Sequence, residues 1–158
     1  MSIPQNPAAS AGQGADRSDP VPIGSAATIG DYSVSVLDVT PNANEIIAAE
    51  NQFNDPPKEG RQFLIARVSI TYTGSDSGTP TFDLGFKAVG SRDVAYTTFD
   101  DSCGVVPEGL NDAPELFEGG EVEVNLCWSV ETADVDSLLM YVEPLLSFDE
   151  DRIWFSLG

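Results

Sequence analysis

Carboxylates are the only plentiful reactive groups in this chain: 26 Asp and Glu face seven Lys and Arg, and histidine is absent. Without an imidazole, neither a Ser-His-Asp nor a Cys-His relay can be assembled from these residues. Imidazole-based zinc sites go with them, and two cysteines do not make a four-thiolate site. Paired acids hydrolyse glycosides when their carboxyls stand roughly 5–10 Å apart across the scissile bond. With this many acids some pair meets that spacing by chance, and nothing in the sequence singles one out. Calcium is the better-matched use, because hard oxygen ligands on loops suit it. The candidates are Asp100-Asp101, Asp134-x-Asp136 and Asp149-Glu150-Asp151, none of which follows the EF-hand loop pattern. The plainer reading is solvated loop charge that discourages edge-to-edge aggregation. No other cofactor is indicated, and the chain is expected not to be an enzyme.

Two further groups of residues could bind without reacting. In NQFNDPPKEG (51–60), Asn51 and Asn54 can nucleate turns, while Pro56 and Pro57 stiffen the exit. Phe53 between polar neighbours is either an anchor for a partner or a plug at one end of the domain. Trp154 falls opposite Ile153 and Phe155, and Tyr141 is out of phase with Met140 and Val142. An outward Trp154 beside Tyr141 would form a stacking platform for a sugar ring or a peptide; the alternative is packing near a sheet edge. Trp128 shares the phase of Val124 and Leu126 and reads as core.

The formal charge of −19 sets the partners. Such a surface repels phosphate backbones and anionic lipid, which excludes nucleic acid. A protein partner, a basic one included, and divalent cations remain, beside the reading that the charge serves solubility. No run of about 18 apolar residues exists, so no segment is expected to insert in a membrane. Cys103 and Cys127 are either a disulfide or free thiols. A pair in a short acidic chain rich in strand signals fits the first and an oxidising compartment, and the spacing is not that of a C-x-x-C redox motif. The first residues carry neither a basic cluster nor an apolar leader. Either the chain is cytosolic or an export signal preceded residue 1; the tail composition and the cysteines favour an extracellular or cell-surface location.

These residues need a scaffold, and 158 residues suffice for one domain with a short tail. Residues 1–20 are rich in Ala, Gly, Ser, Pro, Gln and Asp and read as a flexible linker, with the domain over 21–158. From there strand follows strand. In 32–40, Tyr32, Val34 and Val36 alternate before the phase switches to Leu37 and Val39, which signals a bulge. In 61–74, Leu64, Ala66, Val68, Ile70 and Tyr72 share one face. Segment 81–89 is read as a strand with Phe82, Leu84, Phe86 and Ala88 inward. Segment 121–130 puts Val122, Val124, Leu126, Trp128 and Val130 inward, and 138–143 and 152–157 complete the set. Only 44–52 could hold a helical turn or two. Short strands between Gly, Pro and Asn turns indicate an all-β sandwich of seven to eight strands. Cys127 lies on the polar phase with Glu123, Asn125 and Ser129, so a bridge to Cys103 would clip a loop to the outside of a sheet.

NQFNDPP-x-x-G (51–60), TYTG (71–74), Cys103-Gly104, Gly119-Gly120 and NLCW (125–128) occur in a familiar order. Together they resemble the telokin-like, immunoglobulin-related domains of actinobacterial secreted antigens and bacterial lipoproteins, over about residues 21–158. The resemblance implies an immunoglobulin-like sandwich, export and a Cys103–Cys127 bridge, and it implies no catalytic residues. The chain departs from the lipoprotein members in lacking a signal and lipid-attachment cysteine. The expectation is therefore an exported or surface-tethered binding or structural module that engages a protein, or alternatively a calcium or small-ligand domain.

Overall fold

Each alternating segment becomes a strand because period-two apolar residues can be buried together only on a pleated sheet. A computed structural model describes residues 7–10, 12–99, 101–145 and 152–158. The chain forms β1 (Ala26–Ile29), β2 (Tyr32–Thr40), helix α1 (Asn44–Glu50), β3 (Arg61–Tyr72), β4 (Ser77–Gly78) and a helical turn α2 (Pro80–Asp83). It continues through β5 (Leu84–Val89), β6 (Ala95–Tyr96), β7 (Leu116–Phe117), β8 (Glu121–Glu131), β9 (Leu139–Pro144) and β10 (Ile153–Ser156). Two antiparallel four-stranded sheets, in the orders β1-β2-β3-β8 and β10-β9-β5-β6, face each other. β2-β3-β8 occupies the A-B-E positions of an immunoglobulin sandwich and β10-β9-β5-β6 the G-F-C-C′ positions. Among the described residues seven strands are four residues or longer, within the expected seven to eight.

The inward residues are those expected from alternation. Val34, Val36, Leu64, Ala66, Val68, Ile70, Leu126, Trp128, Val130, Met140, Val142 and Phe155 are all buried in one cluster between the sheets. The phase switch in β2 is a bulge: the register with β3 shifts between Val36 and Asp38, returning Val39 to the core side. Phe82 is the exception. Pro80 at the first helical position starts α2, the strand begins only at Leu84, and Phe82 stands 70% exposed.

Cys127 does lie on the outer face, where it bonds to Cys103 as expected. That face is nonetheless covered there. Ala43 and Ile47 of the α1 region, Phe63 and Ile65 of β3 and both cysteines form a second, smaller buried cluster, with Val106 against it. The disulfide is therefore the seam of a satellite core.

A sandwich has two open sides, and the chain treats them differently. On the side of β1 and β10, the supposed linker is docked. Ala9 N–H donates to Ala26 O and Ala26 N–H to Pro7 O, alongside β1. Trp154 N–H donates to Gly14 O, Val21 N–H to Trp154 O and Ser156 N–H to Val21 O, alongside β10. Residues 7–10 and 12–21 thus cap both edge strands, and sheet edges provide the order that their own small side chains cannot. Gly14 is buried at φ +87°, where a Cβ would meet Val21 Cγ2 and Ile153 Cγ2 at 2.7 Å. Gly14→Ala is therefore expected to cost about 1–3 kcal/mol through clash and left-handed strain. A urea midpoint unchanged from the parent protein would mean that the segment is free.

Candidate functional site

The other side, between the edges of β8 and β5, is spanned by a crossover whose described residues are 97–99 and 101–112. Cys103 is bonded to Cys127 of β8, and a further contact lies at Asn125, whose N–H donates to Glu108 O at 2.9 Å and whose Nδ2 donates to Pro107 O at 2.7 Å. Beside that contact a groove of about 460 Å³ remains open. Leu84 and Phe86 form one wall, Leu126 and the disulfide the other, and Val105, Val106 and Leu110 the roof. Thr81, Thr97, Thr98, Ser102, Asn111 and Asn125 supply hydroxyl and amide groups. Phe99 lines the groove yet is 86% exposed, and Val105 and Leu145 at its rim are about half exposed.

The roof is anchored by Asn125, by the disulfide and by Asn54. Asn54 Nδ2 donates to Ile47 O and Val105 O, while its Oδ1 accepts from Val105 N–H at 2.8 Å. Asn51 Oδ1 accepts from Phe53 N–H at 2.9 Å, closing a turn. The asparagines tie off the loop, and Phe53 plugs nothing: it is 81% exposed, next to the residue that pins the groove's roof.

Tyr141 and Trp154 do meet, with ring centroids 5.0 Å apart. Their faces are taken by the chain's own cations. Arg152 lies 4.2 Å from the Tyr141 centroid and Arg17, from the docked N-terminal segment, 5.6 Å from that of Trp154. Lys87 Nζ is 5.9 Å from the Tyr141 centroid and donates to Glu143 Oε1 at 3.1 Å. The hydrogen bond to Glu143 raises the Lys87 pKa.

The acids are dispersed. Asp101 pairs with Lys58 and, at 3.7 Å, with Arg61; the bond from Lys58 lowers its pKa. Asp134 is buried and accepts the Tyr96 hydroxyl at 2.5 Å, whereas Asp136 faces solvent. Asp100, Asp149, Glu150 and Asp151 lie outside the described residues. Among the described residues no three His, Cys, Asp or Glu side chains gather as metal ligands would.

Burial, then the Asp134 carboxylate, push the Tyr96 hydroxyl up to about 12 from 10.0. Unfolded, Tyr96 loses its proton near 10; folded, it keeps it until about 12. The folded state holds more protons across that window, so stability falls as pH rises from about 10 to about 12. Burial and Asp83 raise Tyr32 as well, which adds to the same slope. Urea midpoints measured through this range are expected to drop with the appearance of tyrosinate absorbance. A flat midpoint would contradict the assignment.

No family model matches the chain, and no curated protein matches it by sequence. Solved structures match in shape. The secreted protein MPT63 of Mycobacterium tuberculosis is similar over 87% of this chain and 97% of its own, at TM-score 0.54 and 13% identity. The yjhA protein of Bacillus subtilis gives 0.55 at 14% identity, covering 86% of this chain and 98% of that one. An uncharacterized β-sandwich protein of Clostridium difficile gives 0.52 at 9%, covering 86% and 91%. At these identities the likeness establishes the fold class, a β-sandwich, and goes no further.

Proposed function

We propose that this chain is a non-catalytic, exported binding domain whose protein partner seats an apolar side chain in the groove between β5 and β8. The observation that carries the reading is the groove itself, ligand-sized and apolar-walled, at a side of the sandwich that the described residues leave incompletely closed. Phe99, exposed at its mouth, is the kind of aromatic anchor that interfaces cover. The structural likeness to a secreted β-sandwich and the buried disulfide support export, and with the topology they support membership in the telokin-like, immunoglobulin-related family. A binding role fits the lining better than catalysis. Lys87 is engaged by Glu143, Asp112 is exposed, and the other described polar side chains of the groove are hydroxyls and amides.

An uncharged solvatochromic dye tests the groove without interference from the protein's charge. Its emission is expected to rise and shift to the blue with the native protein. Val105→Asp and Leu145→Asp alter exposed rim residues and are expected to abolish that signal while leaving the melting temperature within a few degrees. An unchanged signal in both variants would sink the groove as the site.

A further inference from the structure

Resting on that reading, we infer that the groove's occupant is cationic: an extended segment of a partner protein with an apolar residue flanked by Lys or Arg. The first reason is the state of the basic side chains. Arg17, Lys58, Arg61, Arg67, Lys87, Arg92 and Arg152 are all seven of them, and each stands within ion-pair distance of a carboxylate. The surplus of 19 negative charges is therefore left without any unpaired side-chain cation to receive an anionic partner.

The groove repeats this locally. Its one basic side chain, Lys87, is matched by Glu143 at 3.1 Å, whereas Asp112 lies in the lining and exposed, with no cation paired to it. An acidic segment entering here would meet repulsion with nothing to offset it; a basic one would meet complementary charge around an apolar slot.

The second reason is the shape of the β8 edge. Gly109 already lies parallel to β8 at Asn125, so this edge accepts an added strand. On an antiparallel ladder, residues two apart direct their peptide groups to the same side. Cys127 thus turns its N–H and C=O the way Asn125 does, along the groove wall. A segment continuing the pairing there would place alternate side chains in the groove, the arrangement of strand addition.

The test uses the intact disulfide-bonded protein, labelled for amide NMR, and three short peptides. One has an apolar centre with Lys flanks, the second the same centre with Glu flanks, and the third a Ser centre with Lys flanks. The expected result is shifts at Phe86, Val105 and Cys127 with the first, about tenfold tighter binding than with either control, and weakening with salt. Asp112→Asn is expected to weaken the first peptide severalfold while leaving the melting temperature unchanged. Equal binding of the Lys- and Glu-flanked peptides would overturn the cationic inference and leave the groove standing as a site. Equal binding of the Ser-centred peptide, or shifts away from the groove, would reduce the effect to non-specific charge and overturn it too. Failure of both the dye and all peptides would remove the proposed function together with the inference.

Discussion

Trp128→Ala is expected to cost about 4 kcal/mol, the range for deleting a large aromatic from a packed core. The side chain is fully buried at the centre of the sandwich, on the β8 face that looks across to β5. Its loss removes the largest fully buried side chain and opens a cavity between two sheets whose strands cannot easily collapse inward. It also takes away the indole N–H that donates to Phe86 O at 3.3 Å, the polar link between the sheets next to the groove. Against a total of about 5–15 kcal/mol for a domain, that loss is about a quarter to four-fifths of the stability. Trp128→Phe separates the terms: it retains most of the volume and should lose about 1–2 kcal/mol, mostly for the unpaired carbonyl and the residual gap. Urea unfolding with an unchanged slope is the measurement. A loss under about 1 kcal/mol for the alanine variant would mean that the indole is peripheral to the core.

Removing the disulfide should cost about 3 kcal/mol, from the chain entropy released when a loop of sequence separation 24 is opened. For a chain of this size that is on the order of 10 °C in melting temperature. The Cys103→Ser, Cys127→Ser double variant is the cleaner probe, because both sulfurs are buried and reductant reaches them slowly in the folded state. The damage is expected to be local in structure. The main core has no cysteine in it, whereas the satellite cluster under α1 has two and shares them with the groove wall. The double variant should therefore keep its far-ultraviolet spectrum and lose the dye signal that marks the groove. Full retention of both stability and dye uptake would show that Asn54 and Asn125 suffice to hold the roof.

How far the sequence could be read follows the range of the interactions. Alternation from Leu64 to Tyr72 and from Val122 to Val130 needs no knowledge of the rest of the chain, because apolar residues two apart can hide together only in a strand. The same logic locates the β2 bulge at the switch from Val36 to Leu37 and assigns Trp128 to the core. It also reads Cys127 as facing away from that core, which is correct. Phe82 shows where a local pattern misleads: it keeps the phase of Leu84 and Phe86, but Pro80 commits the preceding turn to helix and leaves it in solvent. The candidate site was only half legible. The unusual loop of Asn51, Phe53 and Asn54 stood out by composition, but its link to Val105 spans 51 residues of sequence and leaves no local trace.

The sandwich class and the core face of each long strand are thus written in residue order, since each depends on neighbours two to four positions away. Which faces and edges end up covered depends on segments far apart in the chain. Residues 1–20 read as a linker because they carry little to bury, yet residues 7–10 and 12–21 are held by hydrogen bonds to β1 and β10, whose edges exist only once both sheets have formed. The outer face around Cys127 is polar by sequence on either side and still buried, because α1 folds back across it. The groove has no motif of its own. It is the space left where a crossover of fixed length spans the gap between β5 and β8 and meets β8 at Asn125 and at the disulfide, a distance that no local pattern encodes.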